Sequence, residues 1–141
     1  MKNLLIISLF FIFTNAGCTS KEDSTSRKLG DAFQLKVSES VNFFDNGNTI
    51  VAKLANIQDS RCPKDVQCIR GGEAIVVLDL KIGDEQFNGI KVCIGCEKAM
   101  NITELTEIKT KTKTYTIKLT SVDPYPQTTG IITPTATLVL N

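Results

Sequence analysis

From residue 31 onward, apolar and polar residues alternate. Phe33, Leu35 and Val37 fall on one side and Gln34, Lys36 and Ser38 on the other, the period-two signature of a half-buried strand. A short strand at 40–44 leads into Asp45-Asn46-Gly47-Asn48, a hairpin turn signal. Residues 49–58 predict the next strand, and 59–72 a long loop. Residues 73–82 (EAIVVLDLKI) are the most apolar run and predict a central strand. Gly83-Asp84 turns it back into a strand at 85–94. Residues 97–108 are the only candidate helix, short and weakly patterned. Tyr115, Ile117, Leu119 and Val122 mark another strand, PYPQTTG a loop, and 135–140 a closing strand. About seven short strands with at most one short helix predict an all-β chain. The expected architecture is a single immunoglobulin-like antiparallel β-sandwich over residues 31–141, with no internal repeat.

The amino end breaks this pattern. Lys2 precedes residues 4–13, which are apolar except for Ser8. That run is too short to span a bilayer as a helix, which takes about 20 residues, and it suits the hydrophobic region of a secretory signal. Ala16-Gly17-Cys18 follows and resembles a bacterial lipobox, with Asn15 where leucine is usual. The resemblance implies a lipoprotein signal peptide over 1–17, lipidation of Cys18, and a polar tether over 18–30. Lys21, Glu22 and Asp23 resemble the surface-export tag of some Gram-negative lipoproteins. The expected location is therefore the outer membrane, facing outward, with a periplasm-facing anchor as the alternative. Asp23-Ser24-Thr25 also resembles a bacterial O-glycosylation site.

Composition narrows the chemistry. Removing 1–17 from the 141 residues leaves 124, enough for one domain with a real core. Losing Lys2 from 16 basic residues leaves fifteen, against fifteen acidic ones, so no net charge draws the chain to nucleic acid. There is no histidine, which removes Ser-His-Asp and Cys-His nucleophiles and every histidine-bearing zinc site. No catalytic residue, cofactor or metal is expected, and the domain reads as a monomer.

Of five cysteines, Cys18 is assigned to lipid; Cys62, Cys68, Cys93 and Cys96 form an even set in an exported chain, which favours disulfides. A Cys62–Cys68 bridge closes about seven residues and removes roughly 2.4 kcal/mol of unfolded-chain entropy. Crossed bridges close longer loops, worth roughly 3–4 kcal/mol each. The hairpin brings its open ends together, so all three connectivities stay open. A four-thiolate zinc site is disfavoured by the wide first spacing and by an oxidising compartment. Cys93-Ile94-Gly95-Cys96 has the C-x-x-C spacing of thiol-disulfide proteins. However, too little chain follows Pro134 for a thioredoxin-like fold, no helix precedes the pair, and Glu97 raises rather than lowers a thiol pKa.

The stretch DSRCPKDVQCIRGGEA (59–74) resembles a pattern in uncharacterised exported bacterial proteins and lipoproteins: Asp-Ser-Arg-Cys-Pro, a short loop, cysteine, and a small-residue step into a strand. Those proteins often carry a late Pro-Tyr-Pro, here Pro124-Tyr125-Pro126. The resemblance covers residues 33–140 and implies a small β-sandwich without assigned activity. It also implies a self-contained Cys62/Cys68 pair, hence Cys93 with Cys96. This chain has Ile69-Arg70-Gly71-Gly72 where the pattern usually has Trp-Ala-Gly.

Other groups suit either a chemical or a plainer role. Arg61 and Arg70 are candidate binding residues for an anion; the plainer role for Arg61 is bonding loop carbonyls or pairing with Asp59. Asp59, Asp65 and Glu73 are the carboxylates available for Ca²⁺ or acid–base work, and Asp59 and Asp65 equally suit loop capping and a turn. Lys109, Lys111, Lys113 and Lys118 in KTKTKTYTIKLT suit an anionic glycan or the protection of an edge strand. The leading expectation is a non-catalytic, membrane-anchored envelope protein with a structural or binding role toward a protein or glycan. The alternatives are a redox protein using Cys93 and Cys96, and an inhibitor or ligand-capture module using the 59–72 loop.

Overall fold

The computed structural model describes residues 27–141. The expected signal peptide over 1–17, Cys18 and the expected tether up to residue 26 lie outside the described residues. Eight strands follow in order: β1 (Ala32–Lys36), β2 (Ser40–Asp45), β3 (Asn48–Asp59), β4 (Ala74–Ile82), β5 (Glu85–Ile94), β6 (Leu105–Lys109), β7 (Thr114–Asp123) and β8 (Thr135–Leu140). They form two four-stranded antiparallel sheets, β2-β3-β4-β5 and β1-β8-β7-β6. The expected all-β sandwich is what the chain adopts. Only the β1–β2 and β5–β6 connections cross between sheets, a simpler path than the interleaved order of immunoglobulin domains.

Two expectations need correction. The strand count is eight rather than seven, and the candidate helix at 97–108 is absent. A single 3-10 turn, Lys98–Met100, stands there, and β6 follows it. β6 escapes the alternation rule because only Ile108 is buried while Leu105 is exposed. Just before β1, the Arg27 N–H donates to the Asn42 carbonyl at 3.1 Å, and Gly30 N–H to the Leu140 carbonyl at 2.8 Å. Among the described residues no helix is long and apolar enough to cross a membrane.

Strand alternation builds the core. β4 turns Ala74, Val76, Leu78, Leu80 and Ile82 inward, and β7 turns Tyr115, Ile117, Leu119 and Val122 to meet them from the other sheet. Phe33 of β1 meets Phe43 of β2 edge to face, with centroids 5.0 Å apart, joining the sheets at their open side. The two ends of the sandwich differ. One end carries the tight turns at 46–47, 83–84 and 110–113. The other carries the β3–β4 loop (60–73), the β5–β6 connection (95–104) and the β7–β8 loop (124–134).

Candidate functional site

The long-loop end gathers the candidate arginines and carboxylates and the four cysteines Cys62, Cys68, Cys93 and Cys96. At its centre is Arg61, only 6% exposed. Its Nε and Nη2 donate to the two carboxylate oxygens of Asp59 at 2.8 and 2.6 Å, a bidentate fork, and Nη2 also donates to the Val122 carbonyl at 2.7 Å. The guanidinium carbon lies 3.9 Å from the centroid of the Tyr125 ring. The hydrogen bond that Arg61 donates to Asp59 raises the Arg61 pKa against the opposing effect of burial, so the charge is permanent. Arg61 thus ties the end of β3 to the end of β7 and to the Pro-Tyr-Pro segment. The plainer role for Arg61 is the one its geometry serves, and its Nε and Nη2 are occupied internally.

The rest of the loop fastens around this brace. Cys62 and Cys68 stand at disulfide distance with Cα atoms 5.9 Å apart, as do Cys93 and Cys96, which is the uncrossed pairing. Ser60 N–H donates to Glu73 and Cys62 N–H to Gly71, both at 2.8 Å, continuing the β3–β4 ladder irregularly. Gly72 has φ +70°, and a Cβ there would collide with the Ser60 carbonyl oxygen and lie 2.9 Å from the Arg61 Cα; only glycine fits. A Cβ on Gly95 would sit 2.8 Å from the Gly72 carbonyl, so the Cys93–Cys96 turn packs directly on the 59–73 loop. The β7–β8 loop closes from the other side: Lys64 N–H reaches Pro126 at 3.3 Å, and Thr128 donates through backbone and hydroxyl to Asp65. The Thr128 hydroxyl holds the Asp65 pKa below the usual carboxylate range.

These contacts divide the candidates. Asp59 and Asp65 are engaged as brace and turn, and no group of three or more metal-ligating side chains forms among the described residues. The Arg70 side chain is 87% exposed, its Nη1 3.9 Å from a Glu97 carboxylate oxygen in a solvent-exposed ion pair. Val66, Ile69, Ile131 and Tyr125 are exposed on the same two loops, a group no alternation rule reveals because loops have no period. Cys93 is buried and Cys96 partly exposed, beside an open cleft of about 440 Å³ bordered by Lys98, Asn101 and Glu104. A second open cleft of about 270 Å³ lies between β3 and the β7–β8 loop, lined by Ile57, Pro126, Ile132 and Pro134.

The lysine run lies at the opposite end. Tyr115, Ile117 and Leu119 point inward as expected. Lys113 Nζ donates to Asp45 at 2.6 Å, and the Tyr115 hydroxyl donates to the same oxygen at 3.0 Å. The Lys113 hydrogen bond, helped by Tyr115, holds the Asp45 carboxyl below its ordinary range, and burial pushes the Tyr115 phenol up. This clamp joins the β2–β3 turn to β7 and so crosses between the sheets. No protein-family model, curated protein or solved structure matches this chain.

Proposed function

We propose that the protein is a non-catalytic, lipid-anchored β-sandwich of the bacterial cell envelope that binds a protein or glycan partner with its long-loop end. One observation carries the reading. Two irregular loops are fastened to each other by the Arg61 brace and the Asp65–Thr128 bonds, yet expose Val66, Ile69, Ile131 and Tyr125 together with the largely exposed Arg70. Loops held on a rigid scaffold are where binding residues concentrate, and apolar side chains left exposed together mark contact surfaces. Anchoring through Cys18 in the outer membrane, facing outward, is part of the proposal, with the periplasmic face as the alternative.

The test has two arms. Labelled palmitate should enter the wild-type chain and not Cys18→Ala, and external protease should reach the domain on intact cells. Crosslinking on intact envelopes should capture the same partner with wild type and lose it with Ile69→Ser or Arg70→Ala, while circular dichroism stays unchanged. Undiminished capture by both variants would sink the loop-end assignment. A second reading, thiol-disulfide exchange, is favoured by the partly exposed Cys96 beside its cleft. Selective opening of that pair on mild reduction, with a thiol pKa below about 7, supports it; resistance of both pairs removes it.

A further inference from the structure

We infer that the uncovered edge of β3 at residues 57–59 takes up an extended peptide segment of the partner as an added strand, with one apolar side chain of that peptide in the adjoining cleft. This rests on the binding reading above and names the chemistry of the partner. β3 runs twelve residues, but β2 pairs with it only from Asn48 to Lys53. The β1–β2 connection adds Ser38 and Glu39 against Leu54, and the ladder stops there. A bulge follows between Leu54 and Asn56, after which β3 continues along β4 alone.

The bonding parity of that tail follows from its neighbours. Ser60 N–H bonds Glu73 across the β4 side. Antiparallel pairs alternate, so Gln58 also bonds toward β4, and Ile57 and Asp59 turn their N–H and C=O groups to the empty side. None of these four groups has a hydrogen-bond partner among the described residues. Donors and acceptors repeating at every second residue are the complement of another backbone in β conformation; a glycan has no such repeat.

The other edges are blunted. β2 carries Arg27 on Asn42, and β5 is covered where Thr103 accepts from Cys93 N–H and the Thr106 hydroxyl donates to Lys91. β1 and β6 are five residues each. The tail of β3, Leu-Ala-Asn-Ile-Gln-Asp, has neither lysine nor proline. The side chain of Ile57 lies inward from this edge, and with Pro126, Ile132 and Pro134 it lines the cleft of about 270 Å³. Backbone pairing along the edge and a cleft beside it, apolar on its Ile57, Ile132 and Pro134 side and polar at Asp59 and Gln127, are the two halves of strand-addition recognition.

The experiment selects binders for the full chain, held in detergent, from a phage-displayed library of random linear peptides. Enriched sequences should carry an apolar residue, and the synthetic peptide should protect the amides of Ile57 and Asp59 from hydrogen exchange. N-methylating that peptide at alternate residues should weaken binding by about tenfold or more. Ile132→Glu should weaken it similarly, whereas Phe44→Ser, exposed on β2 toward the opposite end of the sandwich, should not. If Ile132→Glu does not fold, the N-methylated peptide carries the test alone. Absence of enrichment, indifference to N-methylation, protection confined to 64–70, or occupation of the edge by a second copy of this chain would each overturn the inference. Envelope capture that still depends on Ile69 or Arg70 would then leave the proposed function standing; capture undiminished in both of those variants would remove both.

Discussion

Replacing Arg61 with alanine removes the brace at its centre. The Arg61 and Asp59 side chains are 5% and 10% exposed, so the variant leaves a carboxylate with little water and no cation. Removing one member of a buried pair costs about 3–5 kcal/mol. The pair lies near the rim of the sandwich, which places the expected cost near the lower value, about 3 kcal/mol. The Val122 carbonyl loses its charged donor and the Tyr125 ring its cation, but those losses overlap with the first and do not simply add. Urea titration followed by far-ultraviolet circular dichroism measures the change, provided the m-value is unchanged. In a thermal scan the same loss lowers Tm by roughly 12–15 °C for a domain of this size. Asp59→Ala should cost about as much, because it strands the guanidinium. The double variant should cost well under the sum, with a coupling of about 2–3 kcal/mol, because neither charge is then left alone. Tyr125→Leu should cost only about 1 kcal/mol. A loss below about 1 kcal/mol for Arg61→Ala, in the range of exposed ion pairs, or strict additivity of the two substitutions, would refute the brace.

Three further outcomes follow from the same geometry. Converting Cys62 and Cys68 together to serine should cost roughly 2.4 kcal/mol by loop-closure entropy, against roughly 1.9 for the shorter Cys93–Cys96 loop, readable as the difference between the two urea midpoints. Gly72→Ala should largely prevent folding, while Gly71→Ala, whose added methyl would have nothing within 4 Å, should fold as wild type; expression and circular dichroism of the pair compare them. The Asp45 carboxyl has its pKa lowered in the fold, so its stabilising contribution is complete above the unfolded carboxylate pKa and is lost as pH falls through the lower folded value. Asp45→Asn should therefore flatten the acid limb of the stability–pH curve, and Tyr115→Phe should flatten it partly; an unchanged acid limb in Asp45→Asn would contradict the clamp.

What could be read along the chain was whatever repeats at short range. β3, β4, β7 and β8 each bury three or more side chains at alternate positions, so their period survives in the sequence. β6 buries one, and Leu105 and Ile108 follow Ile102 of the preceding connection at three-residue steps, which mimics a helix face. The Arg61–Asp59 pair was legible because its members are two residues apart, and Asp-Ser-Arg-Cys-Pro places them together. Tyr125, 64 positions later, joins them only because β7 ends beside β3. The same holds for Asp45 with Lys113, which meet through the packing of one sheet on the other. The free edge of β3 was invisible in sequence: strand length is legible, but a neighbour that stops early is not.

The position of β8 sets the order in which this molecule can be completed. β2 to β5 pair in succession, so that sheet can assemble as the chain emerges, through contacts of short separation. β1 has no such neighbour: its Ala32 is opposite Val139 and its Phe33 opposite Leu138. The first strand therefore waits, with Phe33 unsheltered, for the last six-residue strand to slide between it and β7. Until the carboxyl end arrives, one sheet exists without a floor, and a chain clipped after Pro134 would lose the interior member of its second sheet and leave β1 without its ladder partner.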